Sequence, residues 1–172
     1  VTATLFPVSS ADVALTTDEW YTPRWLFDAA AITFDMDVCA PMDPAFRTCP
    51  ARRYLTVLDD GATHPWEGII WCNPPYSKTS PWIDRLAAHP DWLTLVPIYR
   101  EIGWRRRLLQ AADAITLLDV TFGRPDGSKQ GHPHLLLLAA RGAACTNGLA
   151  RISVVGPYTG GAYHVRPRSN LR

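Results

Sequence analysis

Apolar residues in this chain fall into short runs, and the spacing inside each run separates strands from helices. Phe34, Met36 and Val38 alternate with Asp35 and Asp37, a period of two that predicts a strand. The runs from Gly68 to Cys72 and from Trp92 to Ile98 are almost unbroken, as in strands covered on both faces. Ala114 to Leu118, Leu135 to Ala140 and Arg151 to Val155 predict further strands, and Arg53 to Val57 a short one. Between them the period lengthens. Thr22-Pro23 predicts an N-cap and a first helical position, with Trp25, Leu26 and Ala29 on one face. Ser80-Pro81 repeats that start, and Trp82, Ile83 and Leu86 continue a helix that stops before Pro90. A third helix runs through Arg105 to Ala111, whereas Pro41, Pro44 and Pro50 forbid a long helix after the first strand.

The remaining segments read as connections. Asp59-Asp60-Gly61 is a turn, Gly123 to Pro133 a long glycine-bearing loop, and residues 156–172 have turn composition. Residues 1–17 lack periodicity and read as a loose lead-in to one domain over 18–172. Strands alternating with short helices predict an α/β sheet, in which ligands bind outside the carboxyl ends of the strands. Asp37 and Asn73 both fall at such ends.

Composition narrows the class. An apolar fraction of 47% and a charged fraction of 19% are those of a globular domain able to bury a core. No apolar run reaches membrane-spanning length, and no basic segment precedes an apolar core at the N-terminus, so a cytoplasmic protein is expected. Four cysteines without CxxC spacing argue against both a disulfide framework and a zinc site, so no metal is expected.

Chemistry concentrates in Asn73-Pro74-Pro75-Tyr76, at the mouth of the Gly68 to Cys72 strand. The Asn73 amide oxygen and the Pro74 carbonyl can each accept a hydrogen from one exocyclic amino group. Proline's fixed φ holds these acceptors in a stiff turn, and Tyr76 offers a ring face to a flat heterocycle. The four residues together form a holder for a planar amine.

With its flanks, this motif resembles the phage-type DNA N6-adenine methyltransferase (Dam) family. The resemblance rests on Asp18-Glu19-Trp20-Tyr21-Thr22-Pro23, Phe34 to Ala40, Asp59-Asp60-Gly61, Trp66-Glu67-Gly68 and Trp71 to Ser77. It covers about Asp18 to Ala140 and implies a compact Rossmann-like methyltransferase sheet with short helices. It also implies S-adenosylmethionine as cofactor and double-stranded DNA as partner. Asn73, Pro74, Pro75 and Tyr76 would then serve the reacting amine. Tyr21, Thr22, Pro23, Asp37, Cys39, Asp60 and Asn73 would line the cofactor site, the helix after Thr22 aiming N–H groups at the methionine carboxylate. Asp59 or Asp60 would meet the ribose or the adenine, and a plain Asp-Gly turn explains the same residues. Asp37-Val38-Cys39-Ala40-Pro41 stands where related enzymes carry a glycine-rich turn.

The net charge of +1 conceals a bias, because Lys78 and Lys129 are the only lysines. Lys78, Arg100, Arg105, Arg106, Arg124 and Lys129 form the expected phosphate-contacting rim. Residues 18–172 are expected to hold no sizeable target-recognition domain, so base reading would fall to loops such as Phe122 to Pro133 and to the tail. His132 and His134 in that loop read as solvated residues. The sequence leaves a monomer and a weak dimer both open. An RNA or protein-glutamine amino-methyltransferase, or a DNA-binding relative without activity, are the rival readings. Evasion of restriction in a phage-infected cell and modification of a bacterial genome fit the residues equally.

Overall fold

The structure is a computed structural model and describes residues 18–98, 103–155 and 163–164. Strands β1 (Phe34–Asp37), β2 (Ala51–Tyr54), β3 (Ile70–Cys72), β4 (Trp92–Pro97), β5 (Ala114–Leu118), β8 (Leu136–Arg141) and β9 (Tyr163–His164) build one sheet in the order β2-β1-β3-β4-β8-β5-β9. The ladders β2-β1, β1-β3 and β3-β4 are parallel, while β8 runs antiparallel between β4 and β5. The sheet is mixed and mostly parallel, and its helices lie on both faces, a Rossmann-like α/β arrangement as the alternation predicted. No helix among the described residues is long and apolar enough to cross a membrane.

Helices α1 (Arg24–Ala30) and α4 (Ala143–Val155) pack together over one face, where Phe27, Leu149 and Ile152 meet Trp71, Leu93 and Leu138. Helices α2 (Thr79–Ala88) and α3 (Gly103–Ala111) cover the other, where Ile83, Leu86 and Leu108 meet Ile70, Trp92 and Leu137. Burying each such side chain contributes roughly 1.5–3 kcal/mol before entropy is set against it.

Five local expectations change. Arg151 to Val155 is the last turn of α4, not a strand. Cys145, Leu149 and Ile152 recur at helical spacing and are buried, and Arg151 donates to the Ala30 carbonyl at 3.0 Å. Gly148 lets α4 seat, because a Cβ there would lie 2.4 Å from Ile32 Cδ1. The segment Gly123 to Pro133 is no open loop: β6 (Thr121–Gly123) and β7 (Lys129–Gly131) form a hairpin. Pro125-Asp126-Gly127 turns it, with Gly127 at φ +79 donating to the Arg124 carbonyl at 2.9 Å.

The strand expected at Arg53 to Val57 lies earlier, because β2 pairs Ala51 with Phe34 and Arg53 with Met36. Thr22 does not cap α1. Pro23 holds the N-cap position without a side-chain bond, and the buried face is Leu26, Phe27 and Ala30. In β1 the alternation slips, since the Asp35 and Met36 N–H groups both donate to the Ile69 carbonyl (2.8 and 3.3 Å). Phe34 therefore joins the α1/α4 side of the core, and Met36 and Val38 the other.

Candidate functional site

The parallel pairing of β1 and β3 brings Asp37 and Asn73 to the same edge of the sheet. A cavity of about 460 Å³ opens there. Its walls are the strap Asp18–Thr22, the exit of β1 from Asp37 to Met42, the turn after β2 and the motif residues Asn73 and Pro75. The volume suits a cofactor-sized ligand. Tyr21, Thr22, Asp37, Cys39, Asp60 and Asn73 all line it, as does Lys78, while Pro23 does not.

Asp37 is 3% exposed and accepts the Cys39 N–H at 3.1 Å. Burial pushes its carboxyl up to about 7, against the pull of that N–H and of Arg47. Beside it the Cys39 and Cys72 sulfurs stand 3.8 Å apart, and burial raises the Cys39 thiol well above its usual range. At the far wall Asp60 (φ +49) accepts the Thr63 hydroxyl at 2.9 Å and faces the cavity. Asp59 instead accepts from the Thr56 backbone N–H and hydroxyl, which holds its carboxyl below the usual range. Gly61 packs its backbone against the exit of β1, since a Cβ on it would sit 2.1 Å from the Val38 carbonyl oxygen.

The strap sets the Asn73 amide. Asn73 Nδ2 donates to the Trp20 carbonyl at 2.8 Å and to Thr22 Oγ1 at 3.2 Å. Both amide hydrogens are thereby engaged, and Asn73 Oδ1 is left buried without a hydrogen-bond partner. An unpartnered buried acceptor is costly unless a ligand completes it. Asp18 accepts from the backbone N–H of Ser77 at 3.2 Å and from its hydroxyl, so the strap grips the motif at both ends. Tyr21 stacks on Phe46 with ring centroids 4.8 Å apart and donates its hydroxyl to Glu19. Burial, then that carboxylate, raises the Tyr21 phenol.

Tyr76 and Pro74 are buried and do not line the cavity. The Tyr76 ring lies edge-on to His132 at 5.2 Å and to Phe122 at 6.5 Å. Trp20 closes the group, at 4.8 Å from His132 and 5.4 Å from Phe122. His132 is thus half-buried among rings and not fully solvated, and burial lowers its pKa. His134 is exposed. Sequence reasoning missed Phe122 and the place of His132; the alternation of Val120 and Phe122 before a Pro-Asp-Gly turn was the available hairpin signal.

The cations do not act as one group. Lys78 and Arg106 are exposed, Lys129 opens β7 in solvent, and Arg105 is half-buried on α3. Arg107 is tied to α2 through Ser80 Oγ (2.8 Å) and Asp84 (2.7 Å). Arg124 lies over the Trp20 ring and donates to the Glu19 carbonyl. Arg100 falls outside the described residues.

A buried carboxyl at one strand end, an orphaned amide oxygen at the next and a cofactor-sized cavity between them can bind a cationic ligand beside an amine. Residues 9–157 match the family described as DNA N-6-adenine-methyltransferase (Dam). No curated protein and no solved structure matches the chain. The family match spans most of the chain, and the chain belongs to this family of DNA adenine methyltransferases.

Proposed function

From that membership we propose an S-adenosylmethionine-dependent enzyme that methylates N6 of an adenine turned out of double-stranded DNA. The observation that carries the reading is Asn73 Oδ1, a buried acceptor whose amide hydrogens are already spent on Trp20 and Thr22. Fixed in that way, the amide can only accept. With the Pro74 carbonyl it would hold both hydrogens of an exocyclic amine and turn the nitrogen lone pair toward the cavity.

The cavity residues fit the cofactor. Asp37, Cys39 and Asp60 would hold it together with the strap residues Tyr21 and Thr22, and Asp37 supplies the negative partner for its ammonium group. When bound, the cofactor supplies a methyl group on a sulfonium, a centre already activated for displacement. The chain has therefore to orient and to exclude water, and two neutral acceptors at the amine suffice without a strong base. Tyr76, buried in the ring cluster, would have to open to the extruded base to stack on it, and would then offset part of the unstacking cost, a few kcal/mol. Lys78, Arg105, Arg106 and Lys129 are exposed or half-buried and would face the phosphates.

The test is methyl transfer from labelled S-adenosylmethionine to unmethylated duplex DNA, followed by nucleoside digestion and mass spectrometry. N6-methyladenine in the digest is the expected result. Label on cytosine, RNA or a protein glutamine instead would overturn the substrate. DNA affinity with no cofactor binding, from folded protein, would show a binding module.

A further inference from the structure

Sequence reasoning counts Arg124 among the phosphate contacts, yet its side chain turns inward. Its guanidinium carbon lies 4.2 Å from the Trp20 ring centroid, and Nη1 donates to the Glu19 carbonyl at 2.7 Å. Its backbone is equally engaged. Arg124 N–H donates to the Ser128 carbonyl at 2.9 Å, and its own carbonyl accepts from Gly127. One residue earlier, Gly123 and Tyr21 exchange two backbone bonds of 2.9 and 3.0 Å. The β6–β7 hairpin and the strap are thus joined by a two-residue splice, backbone at Gly123 and side chain at Arg124.

What the splice holds is the Trp20 peptide. The Trp20 carbonyl accepts Asn73 Nδ2 at 2.8 Å and shares its peptide unit with the Tyr21 N–H that donates to Gly123 at 3.0 Å; the Trp20 N–H, in the preceding unit with the Glu19 carbonyl, donates to the Asp18 carbonyl at 3.0 Å. A stacked guanidinium and a charge-assisted bond on the preceding carbonyl together resist rotation of the unit. Resting on the function proposed above, we infer that Arg124 is a positioning residue: it clamps the strap so that Asn73 presents its carbonyl oxygen, and not its amide hydrogens, to the target amine. The same strap lines the cofactor cavity from Asp18 to Thr22, so the clamp also shapes cofactor binding.

The two roles for Arg124 separate in one set of measurements on the full chain. With Arg124→Met, the single-turnover rate at saturating duplex and S-adenosylmethionine should fall about tenfold or more, as for a misplaced reacting group. The calorimetric Kd for S-adenosylmethionine should weaken several-fold. The Kd for duplex DNA, and its slope against log salt, should stay at the wild-type values. A phosphate contact predicts the reverse: an unchanged saturated rate, weaker DNA binding and a salt slope smaller by about 0.9. That result would overturn the inference, and so would no change in any of the three.

The double variant with Trp20→Leu supplies a further check. Losses that add in full would overturn the clamp, because two members of one contact cannot both be lost independently. Should Arg124→Met not fold, Arg124→Lys decides in its place, since it keeps the charge and loses the planar fork. The clamp predicts a low saturated rate for it, and a phosphate contact a normal one. A wild-type protein that transfers no methyl group to DNA would strike the proposed function, and the cofactor Kd would still decide the clamp.

Discussion

The cavity at the ends of β1 and β3 and the ring cluster at Tyr76 adjoin one another and are assembled differently. Two cavity walls are backbone held by the parallel ladder, as where Val38 N–H donates to the Trp71 carbonyl at 3.1 Å. The ring cluster has a slighter frame, two backbone bonds that join Tyr21 of the strap to Gly123 of the hairpin. Trp20, Tyr76, Phe122 and His132 come from the strap, the motif and the hairpin, and side-chain contacts unite them. Asn73 and Tyr76 are three residues apart and fall on opposite sides of this divide. The motif is therefore a bridge, with one end in a pocket built by the sheet and the other in a buried ring cluster built by distant segments. On the function proposed, the first would hold the cofactor and present Asn73 to the amine, and the second would meet the ring of the base.

The sharpest way to break that division is Asn73→Ala. Loss of this positioned side-chain acceptor should lower the methylation rate by about 10²–10³, as for other pre-organised hydrogen-bonding groups at reacting centres. Cofactor affinity should change only a few-fold, and retained turnover would remove Asn73 from its role. Next comes Tyr76→Ala on the other side. Loss of a stacking partner should weaken productive DNA engagement by about 10- to 100-fold. Calorimetry should show S-adenosylmethionine binding unchanged; a parallel loss there would merge the two compartments.

The smallest effect is the most specific to the cavity. Asp37 has a folded pKa of about 7, raised by burial from 3.8. The folded protein therefore holds a proton that the unfolded chain releases between those values. Its contribution to stability is fully present below about 4 and is lost as pH rises through 7. Asp37→Asn should accordingly be more stable than the wild type at pH 8, by a few kcal/mol at most, with the difference vanishing toward pH 4. Chemical denaturation at the two pH values checks this. Wild-type affinity for the cationic cofactor should also rise from pH 6 to 8, and that rise should be absent in the variant.

Legibility followed the range of the interactions. The apolar runs at Ile70 to Cys72, Trp92 to Pro97 and Ala114 to Leu118 marked strands because a buried strand must be apolar along its length. Arg151 to Val155 misled because a short apolar stretch is ambiguous in isolation; the helical spacing from Cys145 through Ile152 resolves it. Thr22 misled for a different reason. Thr-Pro before a helical pattern is a capping signal, yet the hydroxyl accepts from Asn73, 51 residues away, and no local rule carries that partner.

By itself the sequence determined the α/β class, the placing of Asp37 and Asn73 at strand ends and the family, because strand period, proline stiffness and motif order are written in local residue types. Tertiary structure alone decided which atom of Asn73 is free, that Gly61 makes the close approach at Val38, that His132 joins Tyr76, and that Arg124 turns inward to Trp20. Each of these depends on a partner brought near by the closing of the sheet and the folding of the strap across it. A residue's type states what bonds it can make, and only the packed chain states which of them it has already made.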